Sequence, residues 1–487
     1  MNIFPACQDF RQLAQKHNII PVYTDLTVDL ETPVSLYYKI VGDQPGFMLE
    51  SAETSKTFGR YSFIGTDPFL TVTAYKDKLA VDSGERQYQI AGAPLAALQG
   101  ILNDFSFPDM PGLPPFSGGA VGYLAYEAVS TWERVRGMSV DAATILGEFM
   151  FCRTIIAMDH LTHSAKLIYL ASVSDASQAA GEYDKALAAI AALSEQVRQP
   201  VTLPQTGSAS QDTAPPTAGE GAKEQYMANV VQAKEYIAAG DIFQAVLSHP
   251  FHAKLAEQPF ALYRRLRRVN PSPYMFHINL GQRQLVGASP EMLVKLQGGK
   301  VFTCPIAGTR PRGKDAAEDE RLAAELLADT KERAEHAMLV DLGRNDIGRI
   351  SLPGTVKVSR MMQIENFSHV MHIVSEVTGD LDPRYTPTEV LAACFPAGTL
   401  SGAPKIRAME IINELEGVPR GAYGGAVGYF DFRGNMDTCI TIRTLAIDGD
   451  EVVIQTGAGI VADSVPETEY QETIHKAGAM FRVLKGE

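Results

Sequence analysis

Hydrophobic and polar positions recur along the chain with two different periods, and these periods predict its elements. Runs of period two predict strands, and apolar residues at i, i+3, i+4 and i+7 predict amphipathic helices. The predicted strands are residues 165–173, 283–289, 300–308, 436–447 and 451–462. The predicted helices are residues 182–197, 223–240, 315–342 and 468–484. Strands and helices thus mix in both halves, which indicates an α/β or α+β fold.

One segment, residues 199–222, follows neither period. Pro, Ser, Thr, Gly and Ala replace the large apolar residues there, a composition typical of a linker. Helical patterns flank it, and Gly240 stands where the second helix should end. We therefore predict an N-terminal domain over residues 1–198, a linker over 199–222 and a C-terminal domain over 223–487.

The hexapeptide GGAVGY occurs twice, at residues 118–123 and 424–429. Two similar hairpin edges would explain it, because glycine permits close backbone approach. The other interpretation, which we favour slightly, is that each half of the chain contributes a sheet to one common core.

Composition limits the class of protein. The 487 residues are 45% hydrophobic and 21% charged, as expected of a globular protein with a large core. The net charge of −14 disfavours nucleic acid and anionic membranes as partners. The N-terminus has no signal pattern, and no apolar run is long enough to span a membrane. Five cysteines without a CxxC pair indicate reduced thiols, so we expect a cytoplasmic protein.

Two acidic pairs with the spacing E-x-x-E lie on predicted helices. Glu469 and Glu472 fall opposite an apolar stripe, with Lys476 four residues after Glu472, which is typical of an exposed face. In the pair Glu332 and Glu335, by contrast, Glu335 falls on the apolar stripe. A carboxylate in a core requires a partner, either an arginine or a bound cation. Carboxylates without His or Cys ligands suit Mg²⁺ better than zinc.

Other residues indicate an anionic ligand. Gly457 and Gly459 stand at the end of a predicted strand, where their backbone N–H groups could hold a carboxylate. No helix pattern follows them, which argues against a dinucleotide site. Arg443 interrupts an apolar strand pattern and therefore requires an anionic partner.

Two further segments stay open on pattern alone. Gly308 and Thr309 follow a predicted strand and precede two arginines. This segment is either a turn that binds an anion or an ordinary basic turn. His369 and His372 in the sequence HVMH are more typical of structural histidines than of catalytic ones.

Five long segments resemble, in order, the family of chorismate-utilising enzymes. They are PIAGTRPRG, KERAEHAMLVDLGRNDIGR, FPAGTLSGAPKIRAMEII, YGGAVGYFDFRGNMDTCITIRT and GAGIVADSVPETEYQETIHKA. Within the family, the chain is most similar to the large subunits of anthranilate synthase. The resemblance is nearly continuous from about residue 224 to the C-terminus, and it is looser at residues 47–65 and 118–127.

The resemblance implies two packed antiparallel β-sheets flanked by helices, with chorismate and Mg²⁺ in a cleft between the sheets. Glu335 and Glu472 match the direct Mg²⁺ ligands, and Glu332 and Glu469 match carboxylates that act nearby or through water. The metal would bridge to the ring carboxylate of chorismate. The acidic face of the C-terminal helix would then line the cleft.

The resemblance also implies roles for other residues. Tyr423, Arg443 and the backbone of residues 457–459 would hold the enolpyruvyl carboxylate, and Gly308 and Thr309 would contact the other end of the substrate. The implied substrate-binding residues are thus Gly308, Thr309, Tyr423, Arg443, Gly457, Ala458 and Gly459. Glu291 would protonate the leaving ring hydroxyl, His372 would assist loss of pyruvate and Lys476 would fix the carboxylates beside the metal. The implied catalytic residues are Glu291, His372, Thr399 and Lys476.

Three positions select among relatives. Family members that add water carry a lysine base where this chain has Gln244, and the usual aminodeoxychorismate synthases carry a nucleophilic lysine where it has Ala307. Thr399 matches the ammonia users. We therefore expect a Mg²⁺-dependent carbon–oxygen lyase that forms anthranilate and pyruvate from chorismate and ammonia. The alternatives are an aminodeoxychorismate synthase and a catalytically silent tryptophan-binding subunit.

Ammonia is scarce near neutral pH, so the resemblance implies a glutamine amidotransferase partner. No cysteine of this chain lies in a nucleophile-elbow sequence, which places that activity on a separate subunit. A heterotetramer of two large and two small subunits is the expected complex. The resemblance also implies feedback inhibition by tryptophan, bound by Glu50, Ser51, Pro273, Tyr274 and Met275.

Overall fold

The computed structural model describes residues 2–51, 59–202, 215–367 and 370–487. His369 and residues 52–58 and 203–214, which belong to segments discussed above, lie outside these ranges. Within them, no helix combines the length and the apolar character needed to cross a membrane.

The described residues form 22 strands and eleven α-helices. The strands are β1 (Ile3–Phe4), β2 (Ile19–Thr27), β3 (Gly46–Glu50), β4 (Tyr61–Ala74), β5 (Lys78–Asp82), β6 (Gln87–Ala91), β7 (Gly119–Leu124), β8 (Gly147–Asp159), β9 (Ser164–Ser172), β10 (Gln244–Lys254), β11 (Tyr274–Asn279), β12 (Arg283–Ser289), β13 (Met292–Gln297), β14 (Lys300–Thr303), β15 (Ile306–Pro311), β16 (Lys357–Asn366), β17 (Val370–Asp380), β18 (Gly402–Ala403), β19 (Ala426–Asp431), β20 (Met436–Ile440), β21 (Thr444–Asp448) and β22 (Glu451–Ile460). The helices are α1 (Cys7–Leu13), α2 (Pro33–Ile40), α3 (Pro94–Asp104), α4 (Ala179–Arg198), α5 (Ala222–Ala238), α6 (Pro259–Val269), α7 (Ala316–Ala328), α8 (Thr330–Gly348), α9 (Pro387–Cys394), α10 (Lys405–Glu416) and α11 (Pro466–Leu484).

Antiparallel hydrogen bonding joins the 22 strands into one network, which folds into layers. Strands in its middle bury both faces, so neighbouring residues such as Phe63 and Ile64 of β4 enter different cores. The core around Phe63 is built from strands and one loop, and it lies between sheet layers. The other two large cores lie between strands and helices. The predicted class, antiparallel sheets packed together and flanked by helices, is confirmed.

Two strand pairs cross the predicted domain boundary. Glu50 of β3 lies opposite Met275 of β11. In the second pair, Gly122 of β7 lies opposite Gly428 of β19, so the two copies of GGAVGY are hydrogen-bonded neighbours in one sheet. A side chain at either glycine would overlap the backbone of the next strand, which explains why both copies need glycine. The halves share a sheet, and the division at residues 199–222 stays a prediction from composition.

The helix predicted over residues 315–342 is two helices. The chain breaks at Asp329, whose carboxylate accepts the N–H groups of Lys331 at 3.0 Å and Glu332 at 3.2 Å and so caps α8. The periodic pattern alone does not show this break, because apolar positions continue across it.

Two predicted strands are also interrupted. Residues 300–308 divide into β14 and β15 around Pro305, which has no N–H group to donate to a ladder. Residues 436–447 divide into β20 and β21, and Arg443 stands in the gap with a φ of 52°. The prediction of one continuous strand was wrong in both places, whereas residues 283–289 form β12 with the predicted bounds.

Candidate active site

The two acidic pairs belong to one electrostatic environment. Burial raises the pKa of Glu335 on α8, and the nearby carboxylates of Glu332 and of Glu472 on α11 raise it further. Burial also raises the pKa of Glu469, with Glu472 adding to the effect. Helices α8 and α11 therefore present their carboxylates toward a shared space. The acidic side of α11 faces this space, as the resemblance implied and the helical wheel alone did not.

Cations neutralise some of these carboxylates but not Glu335. The ammonium group of Lys476 lies 2.7 Å from Glu472 Oε1 and donates a hydrogen bond of 3.0 Å to the carbonyl of Gly457. Arg310 lies 3.6 Å from Glu332 Oε1. Within the described ranges, Glu335 forms no salt bridge, although the charges of Lys331 and Lys476 lower its pKa. The arginine partner that would have made it a structural residue is therefore not found there.

The acidic space fits a hard cation. The part of the chain that the structure describes contains no group of three or more His, Cys, Asp and Glu side chains positioned to hold a metal ion. Mg²⁺ does not need one, because it typically takes one or two protein carboxylates and completes its coordination with substrate oxygens and water. Burial is the main cause of the raised pKa of Glu335 and of Glu469, and the charge of Glu472 raises both further; a bound cation would offset that repulsion.

Glu291 lies immediately before β13, and the charge of Lys476 on α11 acts on its carboxyl group. Thr399 Oγ1 donates a hydrogen bond of 3.0 Å to Glu291 Oε1. Both residues line a cavity of about 50 Å³ between β13, α8 and the turn at Gly398–Leu400. Burial raises the pKa of Glu291 to about 7, although the Thr399 bond and the charge of Lys476 act in the opposite direction. A substantial fraction of Glu291 is therefore protonated at neutral pH.

His372 on β17 lies opposite Thr309 on β15. Its Nδ1 is 2.8 Å from the carbonyl oxygen of Gly308 and 3.1 Å from Thr309 Oγ1. Because a carbonyl only accepts, Nδ1 carries the proton, and Nε2 keeps a free lone pair. Burial lowers the pKa of His372, and the charge of Arg443 lowers it further, so the ring is neutral at pH 7. Gly308 and Thr309 thus lie within β15, at a shift in its register with β17, so both turn interpretations were wrong, and the two residues orient a histidine.

Arg443 is held in the gap between β20 and β21. Its carbonyl accepts the N–H group of Ala288 at 3.1 Å, and its φ of 52° is unusual for a residue with a side chain. Burial lowers the pKa of its guanidinium group, and Tyr423 and Glu472 partly offset this. In the described ranges the side chain has no salt-bridge partner. The anionic partner that the sequence required is therefore not supplied by these residues.

Gly457 and Gly459 lie inside β22, not at its end. Gly457 lies opposite Ser248 of β10, and Gly459 lies opposite Val246. The N–H groups of these two β10 residues point away from β22: that of Ser248 donates to Glu416 at 2.7 Å, and that of Val246 donates to the carbonyl of Ser401 at 2.9 Å. In an antiparallel ladder, two opposite residues either point their N–H groups at each other or both point them away. The N–H groups of both glycines therefore point away from β10. Strand β21 pairs with β22 only as far as Ile454. The glycine N–H groups therefore face an edge left open by β21, while Ala458 between them faces Leu247 of β10.

Two side chains approach this open edge closely. A Cβ atom on Gly457 would be 2.8 Å from the hydroxyl of Tyr423, and one on Gly459 would be 2.8 Å from Gln244 Nε2. Gln244 is only 6% exposed, and its Oε1 atom has no hydrogen-bond partner. A buried acceptor without a donor is rare in native proteins and indicates a site for a ligand or water.

The implied tryptophan-binding residues also meet in space. Glu50 is buried at the end of β3, with Ser51 next to it, beside the start of β11. Its carboxylate accepts a 2.6 Å hydrogen bond from Tyr263 and pairs with Arg267. On β11, Tyr274 donates to Asp437 at 3.0 Å. Buried Pro273 and Met275 flank Tyr274.

Sequence reasoning missed one buried pair, Glu416 and Arg420, whose side chains hydrogen-bond to β10 and to the turn at Gly398–Leu400. The i,i+4 spacing of Glu and Arg at a helix end usually marks a surface pair. The signal that could have exposed it is the apolar and glycine-rich sequence that follows Arg420.

The chain is similar to known proteins along nearly its whole length. Residues 44–482 match the family model described as chorismate binding enzyme. The chain is 44% identical over 490 residues to the anthranilate synthase component 1 of Acetivibrio thermocellus, covering 99% of this chain and 98% of that protein. It is 41% identical over 488 residues to the protein of the same name from Aquifex aeolicus (strain VF5), covering 100% and 98%.

Solved structures give the same result. The crystal structure of anthranilate synthase component I from Streptococcus pneumoniae TIGR4 has a TM-score of 0.74 and 37% identity, covering 88% of this chain and 93% of that one. The isochorismate synthase MenF from Escherichia coli, at 19% identity, a TM-score of 0.70 and 99% coverage of both chains, shares the fold. The chain therefore belongs to the chorismate binding enzyme family, and within it to the anthranilate synthase component 1 group.

Proposed function

We propose that this chain is the chorismate-binding subunit of an anthranilate synthase, a Mg²⁺-dependent lyase that forms anthranilate and pyruvate from chorismate and ammonia in the first committed step of tryptophan biosynthesis. One observation carries the proposal. A buried acid, a neutral histidine and an arginine with no salt bridge in the described ranges lie near enough to the acidic helices for charges to act between them: Lys476 on Glu291, Arg443 on His372, and Glu472 on Arg443. The names and the high coverage of the relatives support it.

The arginine side of the cleft suits the enolpyruvyl carboxylate. Arg443 supplies a positive charge that the described residues leave unpaired, and the open edge of β22 supplies the N–H groups of Gly457 and Gly459. Tyr423 stands beside Gly457 and can donate its hydroxyl proton. Preorganised donors in a water-poor site bind an anion strongly, which offsets the chain's net charge of −14.

The acidic side suits the ring carboxylate through Mg²⁺. Glu335 and Glu472 would hold the ion, and Glu332 and Glu469 would support it through water. When bound, the ion supplies positive charge that neutralises and orients the ring carboxylate. Lys476 holds Glu472 in place through its bonds to that carboxylate and to β22.

Two side chains move protons. Glu291 donates a proton to the ring hydroxyl, which leaves as water when ammonia adds to the ring. Thr399 and Lys476 then stabilise the Glu291 carboxylate. His372, with Nε2 free, assists the loss of pyruvate that completes the aromatic ring, and Gly308 and Thr309 keep its tautomer fixed.

The nucleophile is ammonia, because the side chains that would favour other nucleophiles are absent. Gln244 is neutral and cannot take a proton from water as a lysine base would, yet its unpaired Oε1 can accept an N–H donor. Ala307 lies on β15 beside the strand of His372 and offers no nucleophilic amine.

A glutamine amidotransferase subunit supplies the ammonia, in a complex of two large and two small subunits. Four of the five free cysteines in this chain are buried. Burial raises the pKa of their thiols, to about 12 for Cys304, which disfavours the thiolate that a glutaminase nucleophile requires. Tryptophan inhibits the complex by binding where β3 meets β11, with its ammonium group near Glu50.

The test uses the purified chain with chorismate, Mg²⁺ and ammonium chloride. We expect the fluorescence of anthranilate to appear, and glutamine to replace ammonium only when the small subunit is present in a complex of two plus two chains. A non-fluorescent amino product would identify an aminodeoxychorismate synthase instead. Tryptophan binding without turnover would identify a silent regulatory subunit, and either result overturns the proposal.

A further inference from the structure

A buried ion pair closes the C-terminal end of α10. The side chains of Arg420 and Glu416 are 1% and 2% exposed. Arg420 donates two parallel hydrogen bonds to the carboxylate, from Nε to Oε2 at 2.8 Å and from Nη2 to Oε1 at 2.6 Å. Taking such a pair out of water is costly, and apolar residues of similar volume usually stabilise a fold as well or better. Stability alone therefore gives a weak reason for this pair.

The pair substitutes for a missing strand beside β10. Strand β18 covers only the first two residues of β10, Gln244 and Ala245. Farther along the same edge, the carbonyl of Val246 accepts a 2.6 Å bond from Arg420 Nη2. The N–H and hydroxyl groups of Ser248 donate to Glu416 Oε1 at 2.7 and 2.9 Å. Buried backbone groups need partners, and these side chains provide them at the place where β10 supports the glycine edge of β22.

The same arginine also holds the turn that carries the acid's hydrogen-bond partner. Arg420 Nη1 donates a 2.6 Å bond to the carbonyl of Leu400, the residue after Thr399. Thr399 in turn donates to Glu291. One guanidinium group thus connects the Glu291 side of the cleft with β10.

A third segment, the turn at residues 420–425, is fixed from both sides. The N–H groups of Arg420 and Gly421 donate to the buried carboxylate of Glu127 at 2.6 and 3.0 Å. The N–H group of Tyr423 donates to the carbonyl of Arg420 at 3.2 Å. The guanidinium carbon lies 4.5 Å from the ring centre of Tyr126, which closes the remaining side. Tyr423 therefore stands on a turn whose position depends on Arg420.

We infer that Arg420 and Glu416 are positioning residues for the reaction: they hold the Thr399 turn, β10 and the Tyr423 turn at a fixed separation. The general acid and the carboxylate-binding edge then fit the two ends of one substrate molecule. This inference rests on the proposed function. Unlike the proposed function, it assigns a role to two side chains that have no direct contact with the reacting atoms.

The test is Arg420→Lys, which keeps the charge but cannot form the planar fork to Glu416 together with both carbonyls. We expect kcat/KM for chorismate to fall by about a hundredfold, the loss that a shift of about 1 Å in an active site causes. We also expect the pKa of Glu291 in the pH profile to rise, because Thr399 loses its support. A residue that only stabilises the fold would not move that midpoint.

Arg433→Lys is the matched control. Arg433, whose side chain is 18% exposed, pairs with the buried Asp431 and donates to the carbonyls of Pro114 and Pro115, each at 2.7 Å. It repeats the chemistry of Arg420 at the opposite end of β19. We expect this control to lower the melting temperature as Arg420→Lys does and to leave kcat/KM and the pH profile unchanged.

If Arg420→Lys does not fold, Glu416→Gln tests the inference instead, because glutamine has the shape of glutamate but lacks the charge that strengthens its hydrogen bonds to Arg420. We expect the same direction of change with a smaller loss of kcat/KM. Kinetics of Arg420→Lys or Glu416→Gln equal to those of Arg433→Lys would overturn the inference while the wild-type chain still makes anthranilate. A wild-type chain that makes no anthranilate would instead overturn the proposed function.

Discussion

Replacing Thr399 by valine removes one hydrogen bond and nearly no volume, which makes it a direct probe of the proposed acid. The bond, 3.0 Å from Thr399 Oγ1 to Glu291 Oε1, stabilises the carboxylate and so lowers the pKa of Glu291 toward its value of about 7. A hydrogen bond to a charged group contributes about 1.5–3 kcal/mol, and one pKa unit corresponds to about 1.4 kcal/mol. Its loss should therefore raise the pKa of Glu291 by about one to two units.

The sign of the effect on activity follows from the role of the group. A general acid must be protonated, so kcat/KM for chorismate should fall as the pH rises through the pKa of Glu291 in the free enzyme. The wild-type midpoint is expected near pH 7, and the midpoint of Thr399→Val about one to two units higher. Because the weaker acid also transfers its proton less readily, the plateau at low pH should be lower in the variant.

The assay is the initial rate of anthranilate fluorescence between about pH 6 and 9.5, a range that extends roughly one unit below the wild-type midpoint and roughly one unit above that of the variant. The concentration of free ammonia is held constant at each pH, because ammonium itself titrates in this range. Thr388→Val is the control. Thr388, on α9, is also buried, and its hydroxyl donates a 3.3 Å hydrogen bond to Gln99 Oε1. A midpoint in Thr399→Val that stays in place or moves down, while the control matches wild type, would refute the assignment of Glu291.

Three more predictions concern the metal, the substrate and the inhibitor. Without Mg²⁺, Glu335→Gln should melt at a higher temperature than wild type, because it removes a carboxylate whose pKa is raised by burial. It should also lose turnover and the rise in calorimetric melting temperature that Mg²⁺ causes in wild type. A variant that keeps this rise contradicts the metal assignment. Gly457→Ala should raise KM for chorismate by about tenfold, a loss of about 1.4 kcal/mol, because the new Cβ would lie 2.5 Å from the carbonyl oxygen of Leu247 and 2.8 Å from the hydroxyl of Tyr423 and would displace both. An unchanged steady-state KM argues against the glycine edge. Glu50→Gln should weaken tryptophan inhibition but keep ammonium-dependent turnover, and an unchanged inhibition curve would remove Glu50 from the inhibitor site.

Local patterns predicted those elements whose formation depends on local sequence. The period of 3.6 located α11 within two residues, and the period of two located β12 within its exact bounds. The gap at Arg443 is different, because its positive φ is imposed by the neighbours of β20 and β21 and leaves no signature in the sequence. The helical wheel likewise showed that Glu469 and Glu472 share a polar side, but it contains no information about which helix stands opposite.

The candidate site divides in the same way. Glu291 and His372 were identified through the family resemblance, and the structure gives each a hydrogen-bond partner, Thr399 for Glu291 and the carbonyl of Gly308 for His372. The unpaired oxygen of Gln244 and the pair of Arg420 with Glu416 depend on where β18 ends beside β10. The position at which β18 ends is set by contacts between distant parts of the chain, and the period of hydrophobic residues contains no information about such contacts.

The pairing of β7 with β19 and of β3 with β11 changes what residues 199–222 can control. The separation of the two halves is set by strand register, in units of one residue along each ladder, and not by the length of the connection between them. Insertions or deletions in that connection should therefore leave the dimensions of the cleft unchanged. A one-residue slip between the two copies of GGAVGY, in contrast, would turn every side chain of β7 to the opposite layer.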